Sequence, residues 1–284
     1  MKTRALITGI GGFAASYLAE YLLKQGMEVC GTIRGHKTDN IEHLRSSLSL
    51  YFGDLLNASW VEQVIQETKP DLVFHLAAQA SVARSWEDPA GTLINNTLSQ
   101  LNLLQGIAHA NIDPKILVLG SCEEYGLIRP EELPATEETP LRPINPYGVS
   151  KVAQDLLGYQ YFISHRLRLI RVRPFNHLGP RQSDKFFVPS IARQIAQTEA
   201  GISEPTIYVG NLGVRRDFTD VRDMVRGYYL ALLYGEPGEV YNLGSGKAVS
   251  LEQVVDFFLK NSMVKVSIEQ DPAQLRPRDA PVSL

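Results

Sequence analysis

Cysteine is scarce in this chain: Cys30 and Cys122 are its only 2 thiols in 284 residues. They cannot build a disulfide framework, so a reducing cytoplasm is the expected compartment. Long apolar runs are missing too, and none approaches the roughly 20 residues that span a bilayer. Met1-Lys2-Thr3-Arg4 leads straight into Ala5-Leu6-Ile7, without the apolar stretch and small-residue cleavage site of a signal peptide. Positive charge is not in excess: the net charge is −3, and no nucleic-acid-binding motif is present. Neither a membrane nor a nucleic acid is therefore an expected partner, and no metal site is expected. Internal repeats and low-complexity tracts are also absent.

What is present is an ordinary globular composition, 44% hydrophobic and 21% charged. The length exceeds a typical domain of roughly 100–200 residues, which predicts one large or two intimate domains. Short apolar runs alternate with longer amphipathic segments. Strands are expected at Arg4–Thr8, Glu28–Ile33, Leu48–Phe52, Asp71–His75, Lys115–Gly120 and Leu167–Arg173. Helices are expected at Ser16–Gln25, Ser59–Glu67, Thr92–Ala110 and Val149–Ser164. Such βαβ alternation predicts an α/β fold with a doubly wound parallel sheet of Rossmann type, binding ligands at the carboxyl ends of its strands. After Pro174 the pattern loosens, with helices at Phe187–Gln197, Asp220–Tyr234 and Leu251–Leu259 and strands at Thr206–Tyr208 and Tyr241–Leu243. Residues 1–174, with segments of about 217–243 returning, are expected to form the cofactor domain. Residues 175–216 and 244–284 are expected to form a smaller, discontinuous C-terminal substrate-binding part.

The turn after the first strand is Thr8-Gly9-Ile10-Gly11-Gly12-Phe13-Ala14-Ala15. Gly9 allows a tight turn, Gly12 lets backbone approach a pyrophosphate, and the following helix offers unpaired N–H groups to it. Ala15 replaces the third glycine, still small enough for close helix–strand packing. Placed at the start of a βαβ unit, this turn points to a dinucleotide, with Gly9, Gly11, Gly12 and Phe13 around it. NAD specificity usually requires an acidic residue after the second strand, whereas Arg34 and Lys37 stand there. Arg34 can pair with a 2′-phosphate, so NADP(H) is expected; a solvated loop arginine is the plain alternative. Asp54 and Leu55, with Leu76, Ala77 and Ala78, are expected beside the cofactor, as is Asn96. Asp54 could instead cap the next helix.

Tyr147 and Lys151 lie four residues apart, on one face of the helix that begins there. A free phenol is a weak acid–base at neutral pH, but a neighbouring ammonium favours its anion. Tyr147 can then pass a proton to a carbonyl oxygen as hydride arrives, and Lys151 can hold the nicotinamide ribose. Ser121, at the end of the fifth strand, is placed to hydrogen-bond the same oxygen; turn formation is its alternative.

Thr8-Gly9-x-x-Gly12-Phe13, Tyr147-x-x-x-Lys151 and Arg173-Pro174-Phe175-Asn176-His177 resemble the extended short-chain dehydrogenase/reductase family, along nearly the whole chain. Pro174 to Gln182, and Gly210-Asn211-Leu212-x-x-Arg215-Arg216-Asp217-Phe218, look most like its GDP-mannose branch. That branch contains 4,6-dehydratases and reductases of GDP-4-keto-6-deoxy-D-mannose, the latter making GDP-D-rhamnose. The resemblance implies a GDP-sugar substrate, with Arg216 and Arg276 on its nucleotide, Asn176 on sugar or inner phosphate, and Arg193 as a further candidate. It implies a homodimer through helices 92–110 and 149–164. Related chains usually continue beyond the position of Leu284 with another strand or helix.

Two readings of the chemistry stay open on these residues. Dehydratases carry an acid–base carboxylate at the position of Glu123, which could take the C5 proton. Against this, Ser121 replaces the usual threonine and Cys122 stands where some sugar dehydratases carry an acid; Cys122 itself is expected as a small buried residue. The expected activity is therefore NADPH-dependent C4 reduction, with 4,6-dehydration as the alternative. A non-catalytic NADP-binding module is the alternative of another class, and retention of Ser121, Tyr147 and Lys151 argues against it. An epimerase, which holds NAD⁺ tightly, is disfavoured by Arg34.

Overall fold

The structure is a computed structural model that describes residues 2–275 and 280–283. The chain opens with β1 (Arg4–Thr8), α1 (Phe13–Lys24), β2 (Glu28–Ile33), β3 (Leu48–Phe52), α2 (Ala58–Thr68) and β4 (Leu72–His75). It continues with α3 (Val82–Glu87), α4 (Pro89–His109), β5 (Lys115–Leu119), α5 (Pro146–His165) and β6 (Arg168–Pro174). Then follow β7 (Asn176–Leu178), α6 (Phe187–Glu199), β8 (Thr206–Val209), β9 (Arg215–Asp220), α7 (Val221–Tyr234) and β10 (Val240–Leu243). The last elements are β11 (Ala248–Ser250), α8 (Leu251–Asn261), β12 (Ser267–Gln270) and β13 (Val282–Ser283).

Seven parallel strands make the central sheet, in the order β10-β6-β5-β4-β1-β2-β3. Side chains alternate across it with period two. Ala5, Ile7, Phe74, Leu117 and Ile170 face α1 and α7 in one core cluster. Leu6, Val73, Ile116, Val118 and Leu169 face α2, α4 and α5 in the other. Both faces are thus dry, which is why the strands read as nearly unbroken apolar runs. The fold class is the one expected, and the central strands and long helices fall within a few residues of their expected positions. β10 completes the sheet beside β6, with Tyr241 opposite Val172.

The remaining segments form smaller sheets. β9 pairs in parallel with β7 and β13 and antiparallel with β11, while β8 pairs with β12. Ile191, Ile195, Ile207, Val209 and Val255 fill a separate small core between α6, α8 and β8. The strands β7, β9, β11, β12 and β13 were not anticipated. β9 reads Arg-Arg-Asp-Phe-Thr-Asp and has no apolar alternation to betray it. No helix among the described residues is long and apolar enough to cross a membrane. No group of three or more His, Cys, Asp or Glu among them could hold a metal ion.

Candidate active site

The carboxyl ends of β1 to β4 open on a cleft of about 290 Å³. It is lined by the expected Gly9, Gly11, Gly12, Arg34, Asp54, Leu55, Leu76, Ala77 and Ala78. Thr32, Ile33, Lys37, Gly53, Asn95 and Ser99 complete the lining. Gly9 has φ +68°, and a Cβ there would stand 3.0 Å from Ala77 Cα. A Cβ on Gly11 would meet the Lys37 carbonyl at 2.7 Å. Backbone is therefore exposed where side chains would fill the cradle. Gly12 caps α1 without any side-chain hydrogen bond, so no cap side chain competes for the first N–H groups of the helix. These features fit a dinucleotide pyrophosphate. Arg34 stands at the mouth, its guanidinium donating to Asn95 Oδ1 at 2.8 Å.

Phe13 and Asn96 are placed differently from expectation. Phe13 does not line the cleft; its ring stacks on His177, with centroids 6.0 Å apart. Asn96 is wholly buried and its amide is committed: it accepts from Gln79 N at 2.7 Å and donates to Ser150 Oγ at 2.9 Å. Asn95, one position earlier on α4, faces the cleft instead.

Beside the cleft, at the end of β5, Ser121, Tyr147 and Lys151 come together. Asn145 caps α5, its Oδ1 accepting from Gly148 N at 2.7 Å, and Pro146 begins the first turn. Tyr147 and Lys151 follow one turn apart, the ammonium 5.8 Å from the phenol ring centre. Burial pushes the Tyr147 phenol up from its ordinary value, and a hydrogen bond with Ser121 opposes this. Lys151 donates to the Leu119 carbonyl at 2.8 Å and to Gln154 Oε1 at 2.9 Å. Burial lowers its pKa to about 8, with Glu124 opposing.

The two adjacent glutamates of the turn after Ser121 differ sharply. Glu123 is half-buried; its Oε2 accepts from Asn145 Nδ2 at 2.7 Å, which places it against the cap of α5. Glu124, unremarked in the sequence, is fully buried, and its Oε1 accepts from Ser121 N at 2.7 Å. Burial raises it to about 8, Asp155 adding to the shift and Arg173 opposing it. The signal was available: Ser121-Cys122-Glu123-Glu124 has the serine-to-glutamate spacing of a capping box. Beneath it Arg173 Nε lies 3.2 Å from Glu124 and 2.9 Å from Asp155, and Asp155 also pairs with Arg171.

Of the expected substrate residues, Asn176 and Arg216 lie on neighbouring strands, Asn176 opposite Phe218. The Asn176 amide nitrogen is buried without a hydrogen-bond partner among the described residues. Arg216 is buried and donates to the carbonyls of Arg215 and Ala280 at 2.9 and 2.8 Å. Arg193 is not gathered with them: it is exposed on α6 and paired with Asp184. Arg276 lies outside the described residues.

A family model described as GDP-mannose 4,6 dehydratase matches residues 6–281. The chain is 36% identical over 276 residues to a GDP-6-deoxy-D-mannose reductase of Pseudomonas aeruginosa, across 97% of this chain and 86% of that one. It is 33% identical over 281 residues to a GDP-mannose 4,6-dehydratase of Vibrio cholerae, across 95% and 74% of the two chains. A solved structure of RMD from Pseudomonas aeruginosa complexed with NADPH superposes with a TM-score of 0.84 at 33% identity. That match covers 99% of this chain and 88% of the other.

Proposed function

The chain belongs to the GDP-mannose 4,6-dehydratase family, and from that premise we propose that it reduces the C4 keto group of a GDP-4-keto-6-deoxy sugar. The reaction takes GDP-4-keto-6-deoxy-D-mannose to GDP-D-rhamnose with NADPH. One observation carries the reading: Tyr147 lies buried beside the cofactor cleft, where burial favours its neutral form, hydrogen-bonded to Ser121 and one turn from Lys151. A neutral phenol is the form that gives a proton to a developing alkoxide, so reduction needs no prior ionisation. The reductase relative and the NADPH-bound neighbour support the same reading.

NADPH, when bound in the cleft, supplies the hydride that arrives at C4. Tyr147 gives its proton to the C4 oxygen and Ser121 hydrogen-bonds that oxygen. Lys151 keeps positive charge beside the phenol as it loses its proton. Arg34 and Lys37 lie where a 2′-phosphate is expected. We assign residues 1–174 with the returning 217–243 to the cofactor, and 175–216 with 244–284 to the GDP-sugar. Exposed Ile94 and Leu98 on α4, and Leu156, Tyr159 and Ile163 on α5, support a homodimer through these helices. Cys30 and Cys122 are buried and form no disulfide, which supports a reducing cytoplasm.

Glu123, beside the cap of the Tyr147 helix, favours 4,6-dehydration as the second reading. Product analysis separates the two. GDP-4-keto-6-deoxy-D-mannose should consume NADPH stoichiometrically, while GDP-mannose alone should be returned unchanged. Formation of the 4-keto-6-deoxy sugar from GDP-mannose without NADPH would overturn the reductase assignment.

A further inference from the structure

Lys151 is held by a line of buried polar groups that starts at the cofactor cleft. Ala77, which lines the cleft, donates its N–H to Thr8 Oγ1 at 3.1 Å. Thr8 Oγ1 lies 2.9 Å from His75 Nδ1, and His75 Nε2 lies 3.4 Å from the amide nitrogen of Gln154. Gln154 Oε1 then accepts from Lys151. None of Thr8, His75, Gln154 or Lys151 is more than 4% exposed, so water does not compete for these contacts.

The partners settle which way each group points. Gln154 Nε2 donates to Gln100 Oε1 at 2.9 Å, and Gln100 is itself fixed by donating to the Gln154 carbonyl at 2.7 Å. The second N–H of the Gln154 amide is left for His75 Nε2. That nitrogen can accept it only when the imidazole is neutral with its proton on Nδ1, facing Thr8. Burial keeps His75 neutral, lowering its pKa to about 3, and the Lys151 charge adds to this.

We propose that His75 is a positioning residue for the reaction: by accepting from the Gln154 amide it turns the amide oxygen onto Lys151 and holds the ammonium beside Tyr147. The proposal rests on the reading of Tyr147 and Lys151 as the reacting pair. Through Thr8 and Ala77 the same line ties the lysine to the wall of the cofactor cleft. The other ionisable groups facing Lys151 are Glu124, from the turn after β5, and Tyr147 itself. Without an oriented Gln154 oxygen the ammonium keeps the Leu119 carbonyl and the more distant Glu124, and it loses its proton more easily.

The test is the pH dependence of kcat for NADPH-driven reduction, measured with NADPH affinity in parallel. His75→Leu should move the alkaline limb to lower pH by about one unit, a roughly tenfold loss of activity on that limb. His75→Gln, which keeps an acceptor at a similar reach, should restore the wild-type limb. Gln154→Leu should shift the limb as His75→Leu does, and the double variant should shift it no further. Gln154→Glu should move it to higher pH, because a carboxylate holds the ammonium charged.

A folded His75→Leu with the wild-type limb overturns the proposal, as does additivity in the double variant. If His75→Leu does not fold, an unshifted limb in Gln154→Glu overturns it instead. Wild-type turnover in Tyr147→Phe would sink the reacting pair itself, an outcome distinct from any of these.

Discussion

Arg34 and Asn95 meet across the mouth of the cofactor cleft, the guanidinium donating to Oδ1 at 2.8 Å. Asp54 stands 3.9 Å away on the same arginine. The arginine side chain is 62% exposed, so this ion pair contributes little to stability. What Asn95 does is point a charged fork over the end of β2 before any ligand arrives.

Arg34→Asp should therefore reverse the cofactor preference. A carboxylate there repels a 2′-phosphate and accepts from a ribose hydroxyl. The KM for NADPH should rise by about 10–100-fold, or ~1.4–2.8 kcal/mol of binding, while that for NADH falls. Unchanged Michaelis constants for both cofactors would remove Arg34 as the selector.

His75 sets an acid limit on the fold. Its pKa is about 3 in the folded protein because of burial, against 6.5 ordinarily. A base depressed in this way contributes stability that is complete above about pH 6.5 and is lost as pH falls towards 3. The slope approaches one proton, about 1.4 kcal/mol per pH unit. His75→Gln does not titrate, so its urea midpoints between about pH 4 and 7 should fall less steeply, by that one proton. Parallel slopes for the two proteins would assign the acid lability to another group.

Asp155, on α5, neutralises two guanidinium groups in the dry layer under the catalytic turn, those of Arg171 and Arg173. Asp155→Ala leaves both partly unpaired, which costs about 3–5 kcal/mol. Urea unfolding measures it directly. A loss below about 1 kcal/mol would mean that the remaining partners, the Gly238 and Glu137 carbonyls with Glu124 and the Tyr125 hydroxyl, suffice to hold them. Because Arg173 lies against Glu124, and Glu124 against Ser121 N, turnover should fall along with stability.

The dyad was legible because one helical turn fixes the relation of Tyr147 to Lys151 whatever surrounds them. Gly9 was legible because its place after a strand demands a positive φ. Burial is another matter. Glu123 and Glu124 are neighbours of identical chemistry, and only the closure of the Ser121 turn against β6 sends one to the helix cap and the other into the interior. Asn95 and Asn96 sit about 100° apart on α4, so a small error of helical phase exchanges cleft for core. Arg193 and Arg216 share only a residue type suited to anions. Pairing across short polar strands and loops separated them, which no local pattern encodes.

The strand Val240–Leu243 completes the sheet beside β6, yet some 65 residues, including α6, β9 and α7, intervene between Pro174 and Val240. During synthesis, β6 therefore has an open edge until residue 243 has left the ribosome. Meanwhile Arg171 N lacks the Glu239 carbonyl, and the Leu169 carbonyl lacks Gly238 N. An edge of buried-type residues waiting on a distant partner is where a nascent chain is most open to mispairing with another. The order in which this enzyme is made thus becomes part of how it folds. A fragment ending at Pro174 would carry both the glycine turn and the dyad, and still lack the strand that closes its sheet.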